Sequence, residues 1–186
     1  WKFLILMRKI SRFDSTLSIF DNFLKTISSS LSGTGRKISV DYITNPDMTV
    51  HEREKSGSLM RVNHAGEVAA QALYQGQLVF EKDPQTINYL SNASDEEADH
   101  LIWTSAQLKR LNSKESYLNV LWYSGAFMLG LAASLSGAKN SMSFLAETER
   151  QVAIHLEGHM EKLPENDIAS RQIVQAMLAD ESAHAN

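Results

Sequence analysis

Two tetrads in this chain, Glu97-Ala98-Asp99-His100 and Glu181-Ser182-Ala183-His184, repeat the pattern Glu-x-x-His, and each lies on an apolar stripe of helical spacing. Residues three apart on a helix sit roughly 60° apart around its axis, so the carboxylate and the imidazole of one tetrad can reach a common point. The first stripe runs Ile87, Leu90, Ser94, Glu97, His100, Leu101, Thr104, Leu108 and Leu111. The second runs Ile173, Val174, Met177, Leu178, Glu181 and His184. A face of this kind turns to a core, and it carries acids and imidazoles in with it. An unpaired buried carboxylate costs several kcal/mol or is forced neutral, and a bound cation removes that penalty.

A helical bundle that holds two metals between its helices also needs a lone Glu from each of two further helices. Upstream of the first tetrad, Glu67 shares a face with Met60, Asn63, Ala70, Tyr74 and Leu78. Upstream of the second there are two candidates. Glu149 is in line with Val152, Ala153, Leu156, Met160 and Leu163, whereas Glu147 is in line with Arg150, Gln151, Ile154 and Gly158, so Glu149 is the inward choice. Glu67 precedes Glu97 by 30 residues and Glu149 precedes Glu181 by 32, which makes the two helix pairs resemble halves of an internal repeat. Four carboxylates balance two divalent cations. Oxygen and imidazole donors suit iron or manganese better than a structural zinc. Nearby, His155 and His159 are expected at the edge or surface, and Tyr74 in the core or lining a cavity. Asp180 is either a partner orienting a ligand histidine or a solvated acid.

The rest of the sequence limits the alternatives. The chain has no cysteine, which excludes disulfides, thiolate zinc sites and iron–sulfur clusters. A net charge of −4 and the lack of a basic stripe argue against nucleic acid. Only three prolines in 186 residues leave room for long helices, and no stretch alternates as a strand does. The expected fold is therefore all-α: a ferritin-like four-helix bundle with an additional hydrophobic, membrane-associated helix. Helices are predicted near 58–81, 84–112, 117–137, 141–163 and 165–184, with Pro84 and Pro164 in first turns and Gly137 at a helix end. Residues 8–31 read as an amphipathic helix with Arg8, Lys9 and Arg12 at its start, and 28–57 as a flexible linker containing Pro46. The domain organisation is then 1–57 as helix and linker and 58–186 as the metal-carrying domain. From Ser116 to Ala138 no residue is charged. That length could span a bilayer, but Ser, Asn and Gly dilute it, so a buried or membrane-facing helix is expected. Trp1 is not an initiating methionine, and His184 sits in what would be a fraying final turn. The chain is expected to continue past Asn186 in the natural protein.

Several runs carry a resemblance. Leu59-Met60-Arg61-Val62-Asn63-His64-Ala65-Gly66-Glu67 and Tyr74-Gln75-Gly76-Gln77 are similar to motifs of the demethoxyubiquinone hydroxylase family, in its bacterial form. So are Asp95-Glu96-Glu97-Ala98-Asp99-His100, the Trp122–Gly137 segment, and Glu149 followed by His155. The resemblance covers roughly 58–184 and departs from the family at Asn63, where aspartate is usual. It implies an O₂-dependent di-iron monooxygenase of ubiquinone biosynthesis that hydroxylates the ring of a polyprenyl methoxy-methyl-benzoquinol. It makes Glu67, Glu97, His100, Glu149, Glu181 and His184 the ligands of two iron ions, with Glu97 and Glu181 bridging. It also implies a peripheral location on the cytoplasmic side of a bacterial inner membrane (the mitochondrial inner membrane in a eukaryote). A ubiquinone-synthesis complex and a homo-oligomer are the implied protein partners. An iron-storing or peroxide-detoxifying protein would use the same ligand set but leaves the uncharged third helix unexplained. A helical membrane adaptor without metal would make the buried Glu and His pairs accidental. No Gly-x-Gly-x-x-Gly fingerprint marks a nicotinamide site, so the electron donor is not legible.

Overall fold

The computed structural model describes residues 12–38 and 47–184 and, among them, six helices and no strand. They are α1 (Arg12–Ile27), α2 (Val50–Leu78), α3 (Pro84–Arg110), α4 (Asn119–Leu135), α5 (Ala138–Lys162) and α6 (Ile168–His184). Of the basic start read for the first helix, Arg8 and Lys9 lie outside the described residues, as does Pro46 of the expected linker.

Helix boundaries follow local capping chemistry. α2 begins at Val50, eight residues earlier than the periodicity predicts, because Thr49 and Glu52 form a reciprocal capping box. The Thr49 hydroxyl accepts from the Glu52 amide at 3.2 Å, and the Glu52 carboxylate accepts from the Thr49 amide at 2.8 Å. Residues 50–57, expected in the linker, are therefore helical. α3 opens as predicted, with Asp83 as cap and Pro84 in the first turn. α6 opens later than predicted: Asp167 accepts from the Ser170 amide at 3.1 Å, leaving Pro164 in the preceding turn. Gly137 sits between α4 and α5 with φ of 94°, a conformation natural to glycine.

The order of the apolar clusters along each helix gives the topology. Met60 of α2, Trp103 and Leu108 of α3, Leu156 of α5, and Ile173 and Met177 of α6 form one core cluster. Leu73 and Tyr74 of α2, Leu90 and Ala93 of α3, and Leu145 of α5 form a second. α2 passes from the first cluster to the second, α3 and α5 pass from second to first, and α6 leaves the first. Thus α2 and α6 run against α3 and α5, and α4 is the crossover. On every one of these four helices the acids of interest fall between or beyond the clusters, so apolar plugs close the interior around them.

α4 packs chiefly on α2, through contact closer than side chains permit. A Cβ added at Gly130 would lie 2.3 Å from the Leu73 carbonyl oxygen, and one at Gly76 would lie 2.4 Å from that of Phe127. The side of α2 toward α4 carries Val68, Ala72 and Gly76, all buried, whereas Gln71 faces α3, bonded to Ser94, and Gly57 meets Ser113. Phe23 of α1 meets Tyr123 of α4 edge to face, with ring centroids 4.9 Å apart. Residues 30–38 then run in irregular conformation, and the Ile38 side chain joins the first core cluster.

The glycine contact gives a test. Gly130→Ala should destabilise the fold by about 2 kcal/mol, because the clash is with backbone that no rotamer change relieves. Urea unfolding of the variant reads it, and Gly125→Ala, at a glycine with open space around its Cβ direction, should cost far less.

Candidate metal centre

The core positions of α2, α3, α5 and α6 converge on one polar centre. Glu67, Glu97, Glu149 and Glu181 are at most 2% exposed, and His100 is fully buried. Two groups of four form, Glu67–Glu97–His100–Glu181 and Glu97–Glu149–Glu181–His184, each with one donor atom per residue lying within 4.8 Å of the others. Glu97 and Glu181 belong to both groups. All six residues predicted from the sequence are thus brought together, and each group adds one unshared Glu and one His to the shared pair. Glu147 is exposed and bound to Arg150 at 2.7 Å, so the acid with the apolar stripe is the one inside.

His100 Nδ1 faces the centre, 2.9 Å from Glu97 and 3.6 Å from both Glu67 and Glu181. Its Nε2 points away, to Asp180 Oδ2 at 2.8 Å. His184 repeats the arrangement: Nδ1 lies 3.3 Å from Glu97, and Nε2 lies 2.9 Å from Glu96. The two outer carboxylates cross over. Asp180 precedes Glu181 on α6 yet braces the histidine of α3, while Glu96 precedes Glu97 on α3 yet braces the histidine of α6. Each brace fixes a ring's tautomer and leaves Nδ1 aimed inward, the arrangement that ligand histidines need. Sequence alone leaves Asp180 undecided and assigns no role to Glu96. The signal was present, since both tetrads are preceded by an acid. On α2, the Tyr74 hydroxyl donates to Glu149 at 2.8 Å.

His155 is exposed, as expected, but His159 is not at the edge. It is buried, with Nδ1 2.6 Å from the Asn63 amide oxygen. Neither belongs to the carboxylate cluster, and their rings contact each other at 4.0 Å.

The electrostatics of the centre describe a charge conflict. Burial raises the Glu67 carboxyl to about 8, and burial together with the hydrogen bond and charge of Glu181 raises Glu149 to about 10. Burial and the Glu97 charge bring Glu181 to about 7. Burial alone would raise Glu97 as well, but the His100 charge and hydrogen bonds from His100, His184 and Glu67 hold it below the usual carboxylate range. Burial opposes charge on His100, yet Glu97 and the acceptors Asp180, Glu181 and Glu67 keep it protonated well above its ordinary value. Hydrogen bonding to Glu97 raises His184 to about 9. Without a metal, the raised Glu67 and Glu149 carboxyls favour their protonated forms beside Glu97 and Glu181. Even so, Glu67 Oε2 and Glu181 Oε2 are buried with no formed hydrogen bond, and His184 Nδ1 meets Glu97 Oε1 only at 3.3 Å. Unsatisfied inward donor atoms, two shared carboxylates and a formal charge of −4 on the four acids fit two divalent cations.

A cavity of about 590 Å³ adjoins the centre between α2, α4 and α5. Val62, Ala65, Ala69, Trp122, Val152 and Leu156 form much of its wall, and Glu67 is part of the same wall.

Known proteins resemble this chain over most of its length. The family model described as "Ubiquinone biosynthesis protein COQ7" matches residues 54–186. The 3-demethoxyubiquinol 3-hydroxylase of Nitrosomonas eutropha is 44% identical over 172 residues, covering 92% of this chain and 82% of that protein. That of Burkholderia cenocepacia is 46% identical over the same shares of each chain, and that of Variovorax paradoxus is 53% identical over 139 residues, 75% of this chain and 66% of the relative.

The shifts predict a pH dependence of the metal-free protein. Glu67, Glu149, Glu181, His100 and His184 all have folded values above their unfolded ones, so the stability they contribute is full at low pH and is lost as pH rises through the folded values. Between pH 6.5 and 9, the window of Glu181 at about 7, Glu67 at about 8 and His184 at about 9, the chelator-treated chain should lose thermal stability. Metal must displace those protons, so its stabilising increment should grow over the same window. Melting curves with chelator and with ferrous iron at the two pH values check both signs.

Proposed function

The chain belongs to the family of the ubiquinone biosynthesis protein COQ7, and from that membership we propose that it is a di-iron monooxygenase that hydroxylates the ring of a demethoxyubiquinol. The four helices α2, α3, α5 and α6 act as a ferritin-like metal-carrying bundle. Glu67, Glu97, His100, Glu149, Glu181 and His184 hold two irons, with Glu97 and Glu181 shared. The relatives' names give the reaction. The observation that carries it to this chain is that Glu67 borders both the carboxylate–imidazole centre and the apolar cavity. A ring in that cavity lies against a residue of the centre.

When bound, two ferrous ions supply electrons to O₂ jointly and avoid a free one-electron oxygen radical. The chain's own residues do the rest. The aliphatic and aromatic cavity walls bind the flat ring and exclude water, so oxidising power is directed at the ring carbon rather than lost. Asp180 and Glu96 hold the two imidazoles in register. The Tyr74 hydroxyl, hydrogen-bonded to Glu149, keeps that carboxylate from swinging. Overall, one oxygen atom of O₂ enters the ring C–H bond and the other leaves as water, with two electrons from an external donor and two protons from solvent.

The substrate carries a long isoprenoid tail, and the surface near the cavity suits one. Leu118, Leu121, Trp122, Met128, Leu129 and Leu135 on and beside α4 are each about half exposed or more, and Leu17, Phe20 and Leu24 of α1 continue the patch. Among the described residues no helix is long and apolar enough to cross a membrane. This supports attachment to one leaflet through α4 and α1, with the tail remaining in lipid while the ring enters. Phe127 contributes less to that surface than its sequence position suggests, because it stacks on Tyr123 at 6.1 Å.

Two measurements test the reading. The purified chain should take up about two irons, the number set by two Glu-x-x-His tetrads and two lone Glu residues. Glu97→Ala or Glu181→Ala should lose most of the metal, while Glu147→Ala retains it. In a host lacking the gene, the demethoxy quinone should accumulate, and His100→Ala should fail to restore ubiquinone where the unmodified chain succeeds. A deletion strain with normal ubiquinone and no second hydroxylase would reject the assignment. For the surface, Leu121→Asp should reduce co-flotation with phospholipid vesicles severalfold without changing iron content. Unchanged flotation would remove α4 from the lipid contact.

A further inference from the structure

Asp180, the brace of His100, is itself held from outside the four metal-carrying helices. Arg36 lies in the irregular segment between α1 and α2, ahead of the residues matched by the family model. Its Nη1 donates to Asp180 Oδ1 at 3.1 Å, and its Nη2 pairs closely with Oδ2, the same oxygen that bonds His100 Nε2. A carboxylate gripped at both oxygens by a planar guanidinium cannot rotate about its own bond, which a single contact would allow. The grip is anchored in turn. The Trp103 indole N–H donates to the Arg36 carbonyl at 3.2 Å, and the guanidinium carbon lies 4.9 Å from the Trp103 ring centroid. Two residues back, the Thr34 hydroxyl hydrogen-bonds Asp99 of α3, and Gly33 presses so close that a Cβ there would overlap Asp99. No such fork closes on Glu96, the brace of His184, among the described residues.

We propose that Arg36 is a positioning residue of the metal centre, acting through Asp180 to fix the imidazole of His100. The segment ahead of α2 is then a working part of the site. An isolated ion pair on a half-exposed surface contributes little to stability. This pair differs because its acid ends on a fully buried ring whose other nitrogen faces three carboxylates, Glu67, Glu97 and Glu181. The inference rests on reading that cluster as a two-metal site.

The test is an anaerobic cobalt(II) titration of the full chain, followed by absorption, which reads both affinity and the ligand field at the metal. Loss of a residue behind a ligand histidine costs about 10- to 100-fold in metal affinity, and Arg36, one step further out, should sit near tenfold for one of the two ions. Arg36→Ala should also change the cobalt absorption envelope. Arg36→Lys, which keeps the charge but not the fork, should recover only part of the affinity. Arg150→Ala removes a guanidinium–carboxylate pair on the exposed face of α5, away from Asp180, and should stay within about twofold of the unmodified chain. In an Asp180→Asn background, Arg36→Ala should add less than about twofold, because its path to the metal is already cut. Metal-free melting curves of each variant identify any general loss of fold. An Arg36→Ala chain that binds both ions as the unmodified chain does, an Arg150→Ala chain that loses as much, or full additivity with Asp180→Asn would each overturn the proposal while leaving the two-metal reading intact. If the unmodified chain fails to bind two ions, both readings fall.

Discussion

Four carboxylates and two imidazoles share one dry volume in this protein, and the rest of the structure answers to that fact. Taken out of water, like charges at these separations cannot all persist, and the chain balances them with protons: Glu67 and Glu149 stay neutral while Glu97 is held ionised between two histidines. Such an interior is worse than an apolar one unless something cationic completes it. The helices supply the completion geometrically, through the two carboxylates that belong to both groups of four. Apolar clusters at either side, one around Met60 and Ile173 and the other around Tyr74 and Leu90, keep water out and the side chains in place.

Function follows from what this centre touches. On one side Glu67 opens to an apolar cavity bounded by α4 and α5; on the other, the imidazoles are tied to outer acids and, at Arg36, to a segment far away in sequence. A storage protein needs neither a walled apolar chamber beside its metals nor a greasy exposed helix along that chamber. An enzyme acting on a lipid-borne ring needs both. The same cluster thus reads differently once its neighbours are included, and the family membership agrees with the enzymatic reading.

Much of this was legible in the sequence, for a physical reason. An acid on an uninterrupted apolar stripe must either be compensated or be misplaced, and repetition of the pattern makes misplacement improbable. That logic selected Glu149 over Glu147 and gathered all six residues that the fold brings together. It failed where burial does not require apolar residues. Gly76 is buried because the lack of a side chain there and at Gly130 lets α4 approach, which periodicity cannot register, and Gln71 is buried because it bonds Ser94 of α3. His159 is buried because Asn63, on another helix, accepts from its ring. Arg36 was out of reach altogether, since nothing in a Ser- and Gly-rich stretch announces a guanidinium folded back over a distant tryptophan. The start of α2 was the avoidable error: Thr49-Val50-His51-Glu52 is a capping box in plain text.

The crossing of the outer braces has a consequence for how such a site can come into being. Each histidine takes its support from the helix that carries the other histidine, so neither pair of helices contains a finished site. A single pair, standing alone, would present an imidazole free to flip and a carboxylate with no ring to hold. Two copies of one pair, facing each other about a two-fold axis, would complete both at once with identical residues. The chain has the form of that dimer written out as one sequence, with an Asp as brace on one side and a Glu on the other.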